Sequence, residues 1–176
     1  FSDGSPLTAD DVAFTLTLLN DPAYSAGNVD FSNIVIKGTD EYKKGDATSI
    51  SGIKVINPTT IQITTEKLNP LSLTTLGGTV LSKAYYGKGY QKGRLDYLKE
   101  LYDKPMGDGP YQLDQYITGQ EIRYNANPNY DGGKPSIEHL IFKVTSKSTA
   151  LQTFQTGQTD YDGFTTDQDT LDQLKS

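Results

Sequence analysis

The sequence predicts an α+β fold, in which two β-hairpins and two further strands are accompanied by short helices. Two pairs of β-rich runs, each joined by a turn-rich connector, predict the hairpins: residues 53–56 with 61–64, and 111–117 with 121–124. A clearly signalled helix precedes the first hairpin, and strands and helices follow the second. Strands in hairpins with helices set beside them are typical of the α+β class.

The first helix carries its own start and stop signals. Thr8 lies where an N-cap belongs, and Asp11 three residues later is placed for a capping-box-like exchange. Asp10 and Asp11 also put negative charge at the positive end of the helix dipole. Pro22 cannot continue the helix and ends it. Apolar residues over much of the helix surface predict that it is buried. These residues are Val12, Phe14, Leu16, Leu18 and Leu19.

The elements up to residue 104 follow from local composition and spacing. Residues 40–45 predict a short exposed helix that is closed by glycine. Residues 72–76, in an apolar region opened by Asn69 and Pro70, predict a short helix on the first hairpin. Residues 84–93, rich in Gly, Tyr and Lys, predict a flexible and exposed segment. The apolar spacing over residues 95–102 is helical.

A sharp change of composition at residues 105–111 predicts a domain boundary, because two prolines and two glycines fall within seven residues. We therefore expect one domain over residues 1–104 and another over 105–176. After the second hairpin, the pattern predicts a strand, a helix ended by glycine, a short strand and a last helix. These elements span residues 139–144, 148–156, 160–164 and 167–175.

The composition excludes several classes of function. The chain has 176 residues, a net charge of −6 and no cysteine. The acidic balance without a basic run argues against nucleic acid and anionic membrane surfaces as partners. Without cysteine there are no disulfides, zinc thiolate sites or thiol nucleophiles. The single histidine is His139, and the sequence near it contains no nucleophile motif and no cluster of metal ligands. We therefore predict a structural role for His139. The chain begins at Phe1, and we expect it to be part of a longer protein.

Five segments, in order along the chain, resemble the extracellular solute-binding proteins of family 5, the oligopeptide- and dipeptide-binding subunits of peptide ABC importers. They are FSDGSPLTADDVAFT at 1–15, ISGIKVINPTTIQI at 50–63, GDGPYQL at 107–113, NANPNYDGGKP at 125–135 and TGQTDYD at 156–162. Each is a weak signal alone, because such turn strings are common. Two positions depart from the family pattern: Asp108 replaces a small residue or threonine, and Asp131 replaces a tryptophan.

The resemblance implies a periplasmic-binding-protein-like fold of type II, in which two lobes close on a peptide. This chain would be part of the first lobe only. Residues 1–104 would form an inserted subdomain, and 105–176 part of a central mixed sheet with flanking helices. The implied function is the non-catalytic capture of oligopeptides outside the cytoplasm and their delivery to the permease subunits of the transporter, with no cofactor. The resemblance also implies one of two locations. The protein would be held at the cell envelope by a lipid anchor on a preceding part, as in Gram-positive lipoproteins, or it would lie in the periplasm.

The resemblance also implies ligand contacts at Gly163, Phe164 and Thr165, after the predicted short strand. Backbone groups there would bind an extended peptide like an added strand. Tyr24, in the loop after the first helix, would reach the ligand. The plainer alternatives are that Phe164 is a core residue and that Tyr24 packs or lies on the surface.

Other functions stay open at this point. Nickel, heme or a sugar would be the ligand in other members of the family. A carboxylate-dependent hydrolase would need a pair of carboxylates in a cleft, and the neighbouring aspartates Asp10 and Asp11, or Asp160 and Asp162, are better explained as helix-start and turn residues. A structural or adhesion module is a third reading. We expect this chain alone not to bind peptide tightly, because half of the cleft would be absent.

Overall fold

The structure, a computed structural model, describes residues 1–25, 31, 33–164 and 167–175. Its mixture of short helices with hairpins confirms the α+β class. The helices are α1 (Ala9–Leu19), α2 (Thr39–Lys44), α3 (Ser72–Leu76), α4 (Lys83–Tyr86), a 3₁₀ helix (Asp96–Leu101), α5 (Ala150–Gln155) and α6 (Gln168–Lys175). The strands are β1 (Ile53–Asn57), β2 (Thr60–Ile63), β3 (Tyr111–Ile117), β4 (Glu121–Ala126) and β5 (His139–Lys143).

The start of α1 is held by the two residues that the sequence singled out. The backbone N–H and the hydroxyl of Thr8 both donate to Oδ2 of Asp11, at 2.8 and 2.9 Å. The other carboxylate oxygen of Asp11 accepts the N–H of Lys83 at 2.8 Å. Asp11 therefore caps its own helix and also fixes the beginning of α4, a long-range contact that no local signal predicts.

The predicted first hairpin is confirmed, with β1 and β2 antiparallel and Ile53 opposite Ile63. Helix α1 packs against both strands. Gly52, just before β1, joins two further segments: its N–H donates to the carbonyl of Lys37 at 2.7 Å, and its carbonyl accepts the N–H of Thr64 at 2.8 Å. The core beneath this sheet consists of Leu16, Ile36, Tyr42 and Ile50.

Helix α2 is less exposed than the sequence predicts. Asp40, Glu41, Lys43 and Lys44 are exposed as expected, whereas Tyr42 is only 1% exposed. Thr39 and Tyr42 are the two buried residues of this helix, and burial of the aromatic ring is favourable. Gly45 ends the helix in a left-handed conformation, as predicted.

The Tyr- and Gly-rich segment 84–93 is partly helical and partly buried, so the prediction that the whole segment is exposed is wrong. It contains the end of α4, and Tyr86 is 8% exposed. The Tyr86 hydroxyl accepts the N–H of Met106 at 2.8 Å and donates to the carbonyl of Met106 at 3.0 Å. Tyr97 donates to the carbonyl of Tyr86 at 2.6 Å. Long-range burial of aromatic rings orders this segment, and composition alone does not reveal such contacts.

The second sheet has the order β3-β4-β5 and is antiparallel, with Tyr111 opposite Ala126 and Ile122 opposite Phe142. All strand pairs in the described residues are antiparallel, so the parallel pairing implied by a mixed sheet is not seen in this part of the chain. The sheet is covered poorly: after residue 106, Asn127 and Ala150 are the only buried residues among those described. The hydrophobic core therefore lies in the first 106 residues, which we call the N-terminal body.

The predicted strand at residues 160–164 does not form. Gly157 ends α5 with φ of 69°, as predicted, but residues 158–164 have no regular secondary structure. The N–H of Gly163 donates to the side chain of Asp162 at 2.7 Å. A strand needs a neighbouring strand to satisfy its backbone groups, and none of the described strands lies beside this segment. The last helix forms nearly as predicted, with Asp167 accepting the N–H of Thr170 at 2.9 Å.

The N-terminal body meets the second sheet region close to the predicted boundary. The N–H of Ser2 donates to the carbonyl of Gly107 at 2.8 Å, and the Asn129 side-chain amide donates to the carbonyl of Ser2 at 3.0 Å. Buried Asn127 donates to the carbonyl of Gly109 at 2.8 Å. These hydrogen bonds order the Gly- and Pro-rich connection that the sequence reads as a turn-rich boundary.

Candidate ligand-binding site

The segment predicted to contact a ligand backbone is open on one side and packed on the other. Gly163 is exposed, and a side chain built on it would meet no atom within 4 Å. The half-buried ring of Phe164 packs edge-on against Phe154 of α5, with ring centroids 5.3 Å apart. Thr165 lies outside the described residues. The geometry thus supports a packing role for the Phe164 ring and leaves the Gly163 backbone accessible.

Tyr24 belongs to a different part of the molecule. It is half-buried and packs against the core cluster formed by Phe14, Leu18 and Tyr86. Its N–H donates to the carbonyl of Asp21 at 2.9 Å. Within the described residues, no hydrogen bond to its hydroxyl is found. No contact in the part of the chain described here brings Tyr24 to Phe164, so the two predicted contact regions are separate.

A cavity of about 500 Å³ opens beside Tyr24 and was not predicted from the sequence. Its walls are α1, the segment at residues 75–81 and the 3₁₀ helix. The signals that pointed to it were the apolar region around residues 68–81 and the helical spacing over 95–102, which the sequence placed on separate elements. The side chains that define the walls are Val12, Leu19, Leu76, Val80, Leu98 and Leu101.

A buried carboxylate also organises the surroundings of Tyr24. Asp21 is 2% exposed. Its Oδ1 accepts the N–H of Ala23 at 2.8 Å, and both of its oxygens lie 3.1 Å from the N–H of Gly93. The Tyr90 hydroxyl donates to Oδ2 at 2.8 Å. The sequence showed Asp21 only as the residue before Pro22, because its partners lie about seventy residues further along the chain.

The hydrogen bonds extend from Asp21 to helix α2. The oxygens of Tyr42 and Tyr90 are 2.6 Å apart. Since Tyr90 gives its only proton to Asp21, Tyr42 is the donor in this pair. Lys92 lies over the Tyr42 ring, with Nζ 4.2 Å from the ring centroid. Burial, followed by the hydrogen bonds with Tyr42 and Asp21, raises the pKa of Tyr90 far above its ordinary value. The Tyr90 hydroxyl therefore remains neutral and continues to donate its hydrogen bond to Asp21.

Four tyrosines are expected to ionise late in an alkaline titration. Burial is the main cause that raises the pKa of Tyr42, Tyr86, Tyr90 and Tyr97. Tyrosine in an unfolded chain ionises at about pH 10. The stability linked to these groups is therefore full below about pH 10 and falls as the pH rises further, because the unfolded chain then releases protons that the folded state retains.

Absorbance at 295 nm and circular dichroism, recorded together from pH 8 to 13, measure this effect. We expect ionisation of four of the twelve tyrosines to coincide with unfolding. Tyr90→Phe should leave three in that late step. Ionisation of these four tyrosines near pH 10 in a protein that stays folded would contradict the assignment.

The remaining polar candidates have structural roles. Asp10 forms an ion pair with Lys83 at 3.0 Å, and Asp11 caps α1. His139 is exposed, with Nδ1 2.8 Å from Oδ1 of Asn125. Across the described ranges, no group of three or more His, Cys, Asp or Glu side chains is placed to hold a metal ion. Among the same residues, no helix has both the length and the apolar character needed to cross a bilayer.

Comparison with known proteins gives a consistent picture over the whole chain. Residues 1–176 match the family model described as bacterial extracellular solute-binding proteins, family 5 Middle. The chain is 28% identical over 167 residues to the oligopeptide-binding protein OppA of Lactococcus lactis subsp. cremoris (strain SK11), covering 92% of this chain and 28% of that protein. It is 33% identical over 150 residues to the dipeptide-binding protein of Escherichia coli (strain K12), covering 82% and 26%.

A solved structure agrees with these relatives. Lactococcal OppA, complexed with an endogenous peptide in the closed conformation, superposes with a TM-score of 0.77 at 26% identity, covering 99% of this chain and 33% of that one. The chain thus spans between a quarter and a third of the length of these proteins.

Proposed function

The chain belongs to the bacterial extracellular solute-binding proteins of family 5, and from this premise we propose that it is part of the peptide-capturing component of an ABC importer. The observation that carries the proposal is the match along the entire chain, together with relatives named as oligopeptide- and dipeptide-binding proteins. The complete protein would hold a peptide in a cleft between two lobes that close by a hinge motion. It would then release the peptide to permease subunits of the transporter.

Within this proposal, the chain contributes two subdomains of one lobe, residues 1–104 and 105–176. Gly163, Phe164 and Thr165 would contact the peptide backbone, and the exposure of Gly163 supports this role. Tyr24 would contact the ligand through its hydroxyl, which no described residue engages. The protein would lie outside the cytoplasm, by a lipid anchor or in the periplasm.

We propose that no chemical step is performed on the ligand and that no cofactor is needed. The relatives are named as binding proteins. The two adjacent carboxylates nearest to a hydrolytic pair, Asp10 and Asp11, are engaged with Lys83 and with the start of α1. Both carboxylates thus make contacts that stabilise the fold, and this favours a structural role for the pair over a catalytic one.

Calorimetric titration with a mixed pool of short peptides tests the proposal. The 176-residue chain and the longest natural form of the protein are titrated in parallel. We expect the longer form to bind with micromolar or better affinity and the 176-residue chain to bind at least about a hundredfold more weakly, because one half of the cleft is missing. Micromolar binding by the short chain would contradict the expected division of the site. Binding by neither would redirect the proposal to nickel, heme or a sugar, which are titrated next.

A further inference from the structure

We propose that Asp162, which precedes Gly163, is a site of spontaneous covalent modification, at which the aspartate closes to a succinimide and reopens as isoaspartate. The reaction needs no enzyme and no bound ligand, so the proposal does not rest on the proposed function. The observation that carries it is the position of the Gly163 amide nitrogen, 2.7 Å from Oδ1 of the Asp162 side chain. This side chain is half-buried, and Gly163 is exposed to water.

The step is an attack by a backbone nitrogen on the carboxyl carbon of the residue before it. The Gly163 nitrogen bonds to Cγ of Asp162, and the proton of that nitrogen leaves with the carboxyl hydroxyl as water. Water then adds to one of the two carbonyl carbons of the succinimide ring. Cleavage of the bond from nitrogen to Cγ restores aspartate, and cleavage of the bond to the main-chain carbonyl carbon gives isoaspartate. The water released equals the water consumed, so no oxidant, reductant or further reactant is needed.

The surroundings of Gly163 favour this attack. Cγ is bonded to Oδ1, so the nitrogen lies no farther than about 4 Å from Cγ. Atoms poised to react are typically separated by about 3–3.5 Å. Glycine has no side chain to shield its nitrogen, and even a Cβ built at Gly163 would meet nothing within 4 Å. Residues 158–164 have no regular secondary structure, so the backbone can turn into the ring geometry without breaking a helix or a sheet.

Hydrogen bonds hold the backbone at two other Asp-Gly pairs. The chain contains four such pairs, at 3–4, 108–109, 131–132 and 162–163. In the first pair the N–H that would attack is engaged, because Gly4 donates to the carbonyl of Phe1 at 2.9 Å. In the second pair the carbonyl of Gly109 accepts a side-chain N–H of Asn127 at 2.8 Å. Both pairs must open locally before the ring can form.

The remaining pair lies inside a closed turn. The carbonyl of Tyr130 accepts the N–H of Gly133 at 3.1 Å, so the turn encloses the pair at 131–132. The Tyr130 ring also crowds this turn, because a Cβ at Gly132 would lie 2.5 Å from it. The four pairs are alike as dipeptides, and the structure therefore singles out Asp162.

Isomerisation changes the main chain next to a packed aromatic ring. Isoaspartate carries the chain through Cβ and Cγ of the modified residue, which adds one carbon atom to the backbone. The addition falls just before Phe164, whose ring packs against Phe154 of α5 with centroids 5.3 Å apart. We expect the modified chain to lose this contact.

The test follows isoaspartate in the longest natural form of the protein, kept folded at mildly acidic pH and physiological temperature over several weeks. A second sample, unfolded in guanidinium chloride, gives the rate for each pair without the fold. Trypsin places the four pairs on four different peptides, because a cleavable Lys or Arg lies between each pair and the next. Chromatography separates the isoaspartyl peptides, and labelling with protein isoaspartate methyltransferase identifies them.

We expect folding to slow isomerisation at Asp162 by less than about threefold and at the other three pairs by at least about tenfold, because only those three must open first. A larger reduction at Asp162 overturns the proposal, and this is the result expected if another part of the protein orders the segment. Reductions below about tenfold at the other pairs remove the selectivity and also overturn it.

Two variants and a matched control locate the chemistry. Gly163→Val places a branched side chain beside the attacking nitrogen and should slow isomerisation at Asp162 at least about tenfold, folded or unfolded. Asp162→Glu would need a larger ring and should remove isoaspartate from its tryptic peptide. Gly109→Val is the control, because a Cβ at Gly109 also meets nothing within 4 Å, and it should leave the rate at Asp162 unchanged. Isoaspartate that persists on this peptide in Asp162→Glu contradicts the assignment.

Discussion

Replacing Asp21 with alanine is expected to lower the free energy of unfolding by about 2–4 kcal/mol. The carboxylate is buried and accepts hydrogen bonds from the N–H of Ala23, the N–H of Gly93 and the hydroxyl of Tyr90. Each partly buried donor that loses its acceptor costs about 1–3 kcal/mol, less where water reaches it. Replacing Asp21 also breaks the hydrogen bond that joins Tyr90, and through it Tyr42, to the segment following α1. Urea unfolding followed by circular dichroism gives the value.

Two further substitutions sharpen this test. Asp21→Asn keeps the volume and one acceptor oxygen but turns an amide N–H₂ toward donors, so its loss of stability should be intermediate. Asp103→Ala is the control, because Asp103 is exposed and its loss should change the free energy of unfolding by less than about 0.5 kcal/mol. If Asp21→Ala unfolded within that same margin of the unsubstituted protein, the assigned role of Asp21 would be wrong.

Gly52→Ala is expected to cost about 3 kcal/mol of stability. A Cβ at Gly52 would lie 2.6 Å from the Thr64 carbonyl oxygen, 2.8 Å from the Lys37 carbonyl oxygen and 2.9 Å from a methyl group of Ile36. Two of these neighbours are backbone atoms and the third belongs to a fully buried side chain, so none of them can move freely. Overpacking of this kind typically costs about 1–3 kcal/mol, and sometimes more.

The same denaturation measurement checks this prediction. Gly107→Ala is the matched control, since its added methyl would meet no atom within 4 Å. We expect Gly52→Ala to lower the urea midpoint strongly and Gly107→Ala to leave it nearly unchanged. Equal midpoints for the two variants would mean that the segments around Gly52 do not pack as closely as described.

Local signals predicted the elements whose causes are local. The Thr8 and Asp11 cap, the first hairpin and the Gly45 helix end each depend on residues within a few positions of one another, and all three form. The sequence-based predictions were wrong where contacts with residues distant in the sequence determine the local structure. Residues 84–93 are ordered by contacts of Tyr86 with Met106, and residues 160–164 form no strand because no described strand lies beside them.

The candidate site shows the same division. Gly163, Phe164 and Tyr24 were identified by resemblance to a family. The exposure of Gly163 and the packing of the Phe164 and Tyr24 rings became visible only in three dimensions. Asp21 had no local signal, and the two signals for the cavity lay on separate elements that the sequence does not bring together. Asp21 meets Tyr90 across 69 positions, and the cavity is bounded by segments from Val12 to Pro105. Sites formed by residues so far apart in the sequence can be identified only from the folded structure.

The hydrogen bond between Ser2 and Gly107 brings the two ends of the N-terminal body together. Its entry and exit segments lie side by side, 2.8 Å apart at the Ser2 nitrogen and the Gly107 oxygen. A unit with adjacent ends replaces a surface loop of a host domain without stretching it, which is why insertion is tolerated at such places.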